Sequence, residues 1–140
     1  MKVLTLPELE GPARIRFDSE QRFDNEVYFA FCAANPDLRI ERSSQGEIII
    51  VPPCGGESSY QSGLVSEQLF SWARRDGRGR GFDSGGEFIL PSGAAHAPDA
   101  SWVSNARLSR LSKEQRREFL EVVPEFVIEV MSPSDRLATK

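Results

Sequence analysis

Two carboxylates stand out for where they sit. Glu129 interrupts the apolar run Phe126-Val127-Ile128-Glu129-Val130-Met131, and Asp99 follows Pro98 directly before Ala100-Ser101-Trp102-Val103. Both runs have strand character. Alternate side chains of a strand share a face, so Phe126, Ile128 and Val130 fall on one side and Val127, Glu129 and Met131 on the other. Both sides are apolar apart from Glu129, which reads as a central strand covered on two faces. A buried carboxylate must be protonated or held by a partner. A divalent cation is one such partner and an arginine is another; a place at the sheet rim, facing water, removes the problem altogether. Asp99 alone reads as turn chemistry. Taken together, the two residues open and punctuate strands that can be sheet neighbours. Two carboxylates converging from adjacent strands form a hard-oxygen site suited to magnesium or manganese. Such a cation acidifies a bound water and stabilises charge on a phosphoryl oxygen.

Other side chains compete for attention. Arg74, Arg75, Arg78 and Arg80 form the densest positive cluster. It either touches phosphates or is a solvated helix end, where cations suit the negative terminus. Gly77, Gly79 and Gly81 follow a helical pattern rather than a strand, so they are not a phosphate-binding fingerprint. His96, the single histidine, reads as a loop residue in solvent, or as a group supporting Asp99. No serine sits in a triad motif. Cys32 and Cys54 lie in no CxxC or Cys/His cluster and read as free thiols of a reducing cytoplasm. Trp72 and Trp102 read as core.

The elements that must position these groups follow from periodicity. Phe23, Val27, Ala30, Phe31 and Ala34 trace a helical stripe. That helix starts near Ser19, capped by Asp18 or Ser19, and ends at Asn35-Pro36-Asp37. Leu38 to Arg42 and Glu47 to Val51 flank Ser43-Ser44-Gln45-Gly46 as a hairpin. A second helix spans about Ser58 to Arg75, with Tyr60, Leu64, Val65, Leu69, Trp72 and Ala73 on one face. Phe82 to Asp83 and Glu87 to Leu90 read as a strand pair turning at Gly85-Gly86. Ala100 to Val103 is a further strand. Residues 105–121 are helix-prone, with Ser112 and Gln115 as a capping box. Phe126 to Met131 is the last strand. Ser134-Asp135 then reads as the cap of a new helix close to residue 140, so further chain is expected beyond it.

This order predicts one mixed α/β (α+β) domain with helices packed on one sheet. Residues 1–18 are expected to form an irregular arm and 19–140 the domain. The 140 residues carry net charge −4, with 39% hydrophobic and 27% charged content. That is an ordinary globular composition, long enough for a core without disulfide or metal staples. No apolar run reaches the roughly 18 residues of a membrane span, and Pro7 and Glu8 break the N-terminal apolar patch, so no signal peptide is read. The acidic balance argues against a general nucleic-acid coat protein.

The spacing from Pro98-Asp99 to Glu129 resembles the PD-(D/E)XK nuclease superfamily, and within it the Uma-type family of restriction-endonuclease-like proteins. The stretches that carry the likeness are DLRIER (37–42), GEIII (46–50), PPCGGE (52–57), FDS (82–84), PDASWV (98–103) and PEFVIEV (124–130) with Ser134-Asp135. The resemblance implies a restriction-endonuclease-like core, a mixed central sheet flanked by helices. It implies hydrolysis of DNA phosphodiester bonds by a water activated on magnesium or manganese. Asp99 and Glu129 would bind the metal, the main-chain carbonyl of Val130 would add a ligand, and Glu57 would be an outer one, or else a charge that complements the N-terminus of the second helix. The arginines 74, 75, 78 and 80 would meet DNA. A homodimer in the cytoplasm is expected, with no membrane partner and no organic cofactor. One departure stands out. The superfamily's lysine follows the glutamate by two residues, where this sequence has Met131. Lys140, the one lysine after Glu129, takes its place, or a lysine beyond residue 140 does. Otherwise the protein is a nuclease-fold binding module with little catalysis.

Overall fold

The structure is a computed structural model, and it describes residues 12–16 and 24–131. Eight strands and four helices alternate along these residues: β1 (Ala13–Ile15), α1 (Asn25–Ala34), β2 (Arg39–Arg42), β3 (Ile48–Val51), α2 (Gly56–Asp76), β4 (Gly79–Asp83), β5 (Phe88–Ile89), β6 (Ala95–His96), β7 (Ala100–Ser104), α3 (Asn105–Leu108), α4 (Lys113–Arg117) and β8 (Phe126–Ile128). The chain is mixed α+β, consistent with a restriction-endonuclease-like fold. Its strands divide into two antiparallel sheets instead of the single sheet expected from the element order. Five strands run β1-β3-β2-β6-β5 and three run β4-β7-β8. A lone parallel bridge joins Phe88 to Leu120.

The first sheet grows from the hairpin of β2 and β3. Ser43 N–H donates to Glu47 O at 2.9 Å and closes the turn. Along β2, Ile40 and Arg42 point to the buried side while Arg39 and Glu41 point away. On β3, Ile48 and Ile50 are buried opposite Arg42 and Ile40. Tyr28 of α1 completes this core with Ile89 and Ala95. Each buried isoleucine contributes on the order of 2 kcal/mol. Residues 13–15 pair with β3 as an edge strand, so the N-terminal arm is not wholly irregular.

Helix α1 is capped by Asp24, whose carboxylate accepts from Val27 N at 2.8 Å. The caps expected at Asp18 and Ser19, and Phe23, lie outside the described residues. The buried face centres on Tyr28, with Val27 exposed. The apolar stripe misses this because Tyr28 enters the core through its hydroxyl's partners as much as through its ring.

The second sheet carries α2 on one face. Helix α2 stops where Gly77 takes φ 78 and its N–H bonds Ala73 O, a left-handed cap that glycine adopts freely. Leu69 and Ala73 are buried, whereas Tyr60, Leu64 and Trp72 of the same stripe remain exposed. The sheet admits α2 closely at Gly81, where a Cβ would lie 2.2 Å from the Phe70 ring. The other face packs Val103 against Phe88, Leu108 and Leu120. The capping box of Ser112 and Gln115 forms at α4.

Two strand assignments need correction. β4 and β5 do not pair: β4 joins β7 and β5 joins β6. The turn at Gly85-Gly86 passes the chain from one sheet to the other. β8 is not a central strand covered on both faces. It lies at the edge of its sheet, with Phe126 52% and Val127 48% exposed.

Candidate functional site

β7 and β8 are antiparallel neighbours with Ala100 opposite Ile128. That register puts Asp99, just before β7, across from Glu129, just after β8. Asp99 Oδ2 accepts from Val130 N at 2.7 Å. The two carboxylates are thus fixed side by side at the same end of the strand pair. Partial burial and the charge of Glu129 push the Asp99 carboxyl above its usual range. Glu129 is held below its own by a hydrogen bond with His96.

His96 is exposed to solvent, as read, but it belongs to a strand and not to a loop. It lies on β6, and its Nε2 is 2.8 Å from Glu129 Oε1 while Nδ1 contacts Glu41. The reason is register. Arg42 pairs with Ala95, so Glu41 and His96 are the next cross-strand neighbours. Carboxylates only accept when ionised, so both ring nitrogens donate and the ring is an imidazolium. The two partners push its pKa up to about 10. One side chain thereby ties the two sheets together. Its spacing from Asp99 hinted at a supporting role, but its partners Glu41 and Glu129 had no local signal, because β6 is two residues long and only its register defines the contact.

Arg39, on the same face of β2 as Glu41, donates through Nη2 to Ala97 O at 3.0 Å. Its charge favours the ionised forms of both Asp99 and Glu129. A second acid lies behind this layer. Burial pushes the Glu87 carboxyl up to about 7. It contacts the hydroxyl of the fully buried Tyr28, which also meets Ile40 O at 3.0 Å. One hydroxyl proton cannot serve both acceptors. The hydroxyl donates to Glu87, which opposes the upward push of burial on that carboxyl, and Ile40 O lies within reach as the alternative acceptor.

The remaining sequence candidates are dispersed. Glu57 is exposed at the start of α2 and bonds Gln61 of the same helix at 3.5 Å. Arg74 and Arg75 close α2, Arg78 pairs with Asp76 at 2.8 Å, and Arg80 stands on β4 opposite Val103. Asp99 is four residues from Val103 along β7, roughly 13 Å of extended strand, so the basic cluster occupies the opposite end of the sheet. Lys140, Ser134 and Asp135 lie outside the described residues. Trp102 packs edge-on to Trp72 with ring centroids 5.6 Å apart. Cys32 and Cys54 are both free.

Among the described residues, no group of three or more His, Cys, Asp or Glu side chains is arranged to hold a metal ion. The chemistry of the pair nevertheless fits magnesium, which takes one or two carboxylates and keeps several waters. Two like charges pressed together are also what a cation relieves. No helix among the described residues is long and apolar enough to cross a membrane.

Residues 26–140 match the family model described as "Uma2: Putative restriction endonuclease". The chain belongs to the Uma2 family. The match covers the hairpin, every strand but β1 and the Asp99–Glu129 pair, and it carries a nuclease-like function in general terms. A search of curated proteins finds no match to this Uma2 chain.

Proposed function

We propose that this Uma2 chain is a magnesium- or manganese-dependent DNA endonuclease centred on Asp99 and Glu129. One observation supports the reading above the rest: two carboxylates from neighbouring strands converge, with Asp99 locked to the Val130 amide at 2.7 Å. The Val130 carbonyl is a further oxygen donor beside them. When bound, the cation acidifies a water and stabilises charge on a phosphoryl oxygen. The chain's own part is positioning. Val130 N–H holds one oxygen of Asp99, and the Asp99 carboxyl also meets Glu129, so the two acids are held together where a cation would bind. His96 orients Glu129, and Glu41 orients His96. Arg74, Arg75 and Arg80 are exposed and suit the backbone of a duplex extending beyond the site.

The test is plasmid cleavage with magnesium calorimetry on Asp99→Ala and Glu129→Ala, each checked for folding. Both variants are expected to lose metal binding and cleavage. Cleavage that survives both sinks the reading.

Met131 favours a second reading, a nuclease-fold DNA-binding module. Methionine cannot supply the charge of the superfamily's lysine. Wild-type protein that binds DNA in calcium but never cuts it in magnesium or manganese would establish that alternative.

A further inference from the structure

We infer that Arg39 is the phosphate-facing cation of this site, supplying from β2 the positive charge that Met131 does not. The inference rests on the nuclease reading above and extends it to a residue that no motif marks. Register carries it. β2 and β6 pair at Arg42 and Ala95, and the chain leaving β6 runs back past the start of β2, where Arg39 meets Ala97, two residues before Asp99. Strand alternation turns Arg39 to the same face as Glu41 and His96, away from the core that takes Ile40 and Arg42. Its Nη2 bonds Ala97 O at 3.0 Å.

The guanidinium is anchored but not saturated. Its Nε is buried and out of reach of a ligand, so the outer edge of the guanidinium, at Nη1, is the part that can meet one. A guanidinium offers a rigid fork matched to phosphate oxygens. The bond through Nη2 fixes that fork at the edge of the carboxylate pair, where a phosphodiester held by a cation on Asp99 and Glu129 would lie. No hydrogen bond joins Arg39 to Asp99 or Glu129 among the described residues, so the outer edge of the guanidinium is left to an incoming acceptor. His96, the other cation of the layer, has both nitrogens committed to Glu41 and Glu129.

The experiment compares wild type, R39A and R39K by magnesium calorimetry, single-turnover cleavage of a duplex, and duplex binding in calcium. A phosphate-facing role predicts opposite signs. R39A slows cleavage about 100-fold or more, in the range for loss of one charge-stabilising donor. Its magnesium affinity stays the same or tightens, because a repelling charge has gone. R39K, a point charge without the fork, recovers cleavage only in part, leaving it between R39A and wild type. R39A that cleaves like wild type overturns the inference alone. So does R39A that loses magnesium affinity in step with cleavage, which would make Arg39 a brace for Ala97. If wild type binds duplex without cutting it, binding becomes the readout. R39A must then bind about tenfold more weakly, with a salt slope shallower by about 1, and unchanged binding overturns the inference. Wild type that neither binds nor cuts overturns both readings.

Discussion

Glu87 and Glu129 are the same residue type handled in opposite ways. Glu87 lies behind the β2–β6 layer against Tyr28, and burial pushes its carboxyl up to about 7. Glu129 lies at the rim, 46% exposed, and an imidazolium holds its carboxyl below the usual range. Below about pH 7 the first acid is neutralised by a proton, whereas the second is balanced by a neighbouring charge. The difference separates structure from chemistry. An acid that keeps its proton satisfies a buried hydroxyl and cannot hold a cation without losing that proton. An acid balanced by a countercharge at the rim can exchange one cation for another. Proximity alone would have grouped the two, since His96 acts on both.

The sharpest way to break this contrast is to remove one charge from each acid. Glu129→Gln keeps the shape and the bond to His96 but removes the ligand charge. Cleavage by folded protein is expected to fall about 1,000-fold, worth about 4 kcal/mol of barrier. A loss below tenfold in single-turnover assays would place Glu129 with the structural acids.

Glu87→Gln should act on stability, not on cleavage. The folded carboxyl titrates near 7 against an ordinary value of 4.5. The folded state therefore binds more protons across that window, and wild-type stability falls as pH rises from about 4.5 through 7. Glutamine removes the dependence. The advantage of the variant should grow across the window by roughly 3 kcal/mol at most. Urea midpoints at pH 4.5 and 8 check this, and parallel pH profiles would refute it.

His96→Ala sharpens the comparison at the next level down. Loss of a group that orients a metal ligand costs about 10–100-fold in affinity, read by magnesium calorimetry. The ring's pKa is raised from 6.5 to about 10, so its contribution to stability is complete below pH 6.5 and is lost as pH climbs through 10. The thermal midpoints of wild type and variant should converge over that range. The smallest effect is expected from Tyr28→Phe, which deletes the hydroxyl between Glu87 and Ile40. It should cost about 1–3 kcal/mol in urea unfolding and leave the single-turnover cleavage rate unchanged.

Local chemistry made part of this legible in the sequence. The β2–β3 hairpin, the end of α2 at Gly77 and the Ser112 capping box depend on neighbours within a few residues, and they formed where the residues required. The approach of Asp99 to Glu129 was also readable, because two strand-like runs each carried an acid at a strand end. Partner choice was not. An apolar run such as Phe126–Ile128 looks the same whether other elements cover it or leave it at an edge. Gly85-Gly86 looks like a hairpin turn, yet it hands the chain from one sheet to the other. His96 and Arg39 entered the site through the register of a two-residue strand, which no periodicity can reveal. In α1 the stripe through Val27 lost to Tyr28, whose burial is set by its hydroxyl partners.

The bond from the Val130 amide to Asp99 spans 31 residues of chain. Only when β8 is docked on β7 can that amide be shielded from solvent. β8 is short and lies at an edge, the kind of element that opens locally without global unfolding. Hydrogen exchange at this single amide would therefore clock how often the two acids separate and rejoin, and its slowing on addition of magnesium would record assembly of the centre before any DNA is cut.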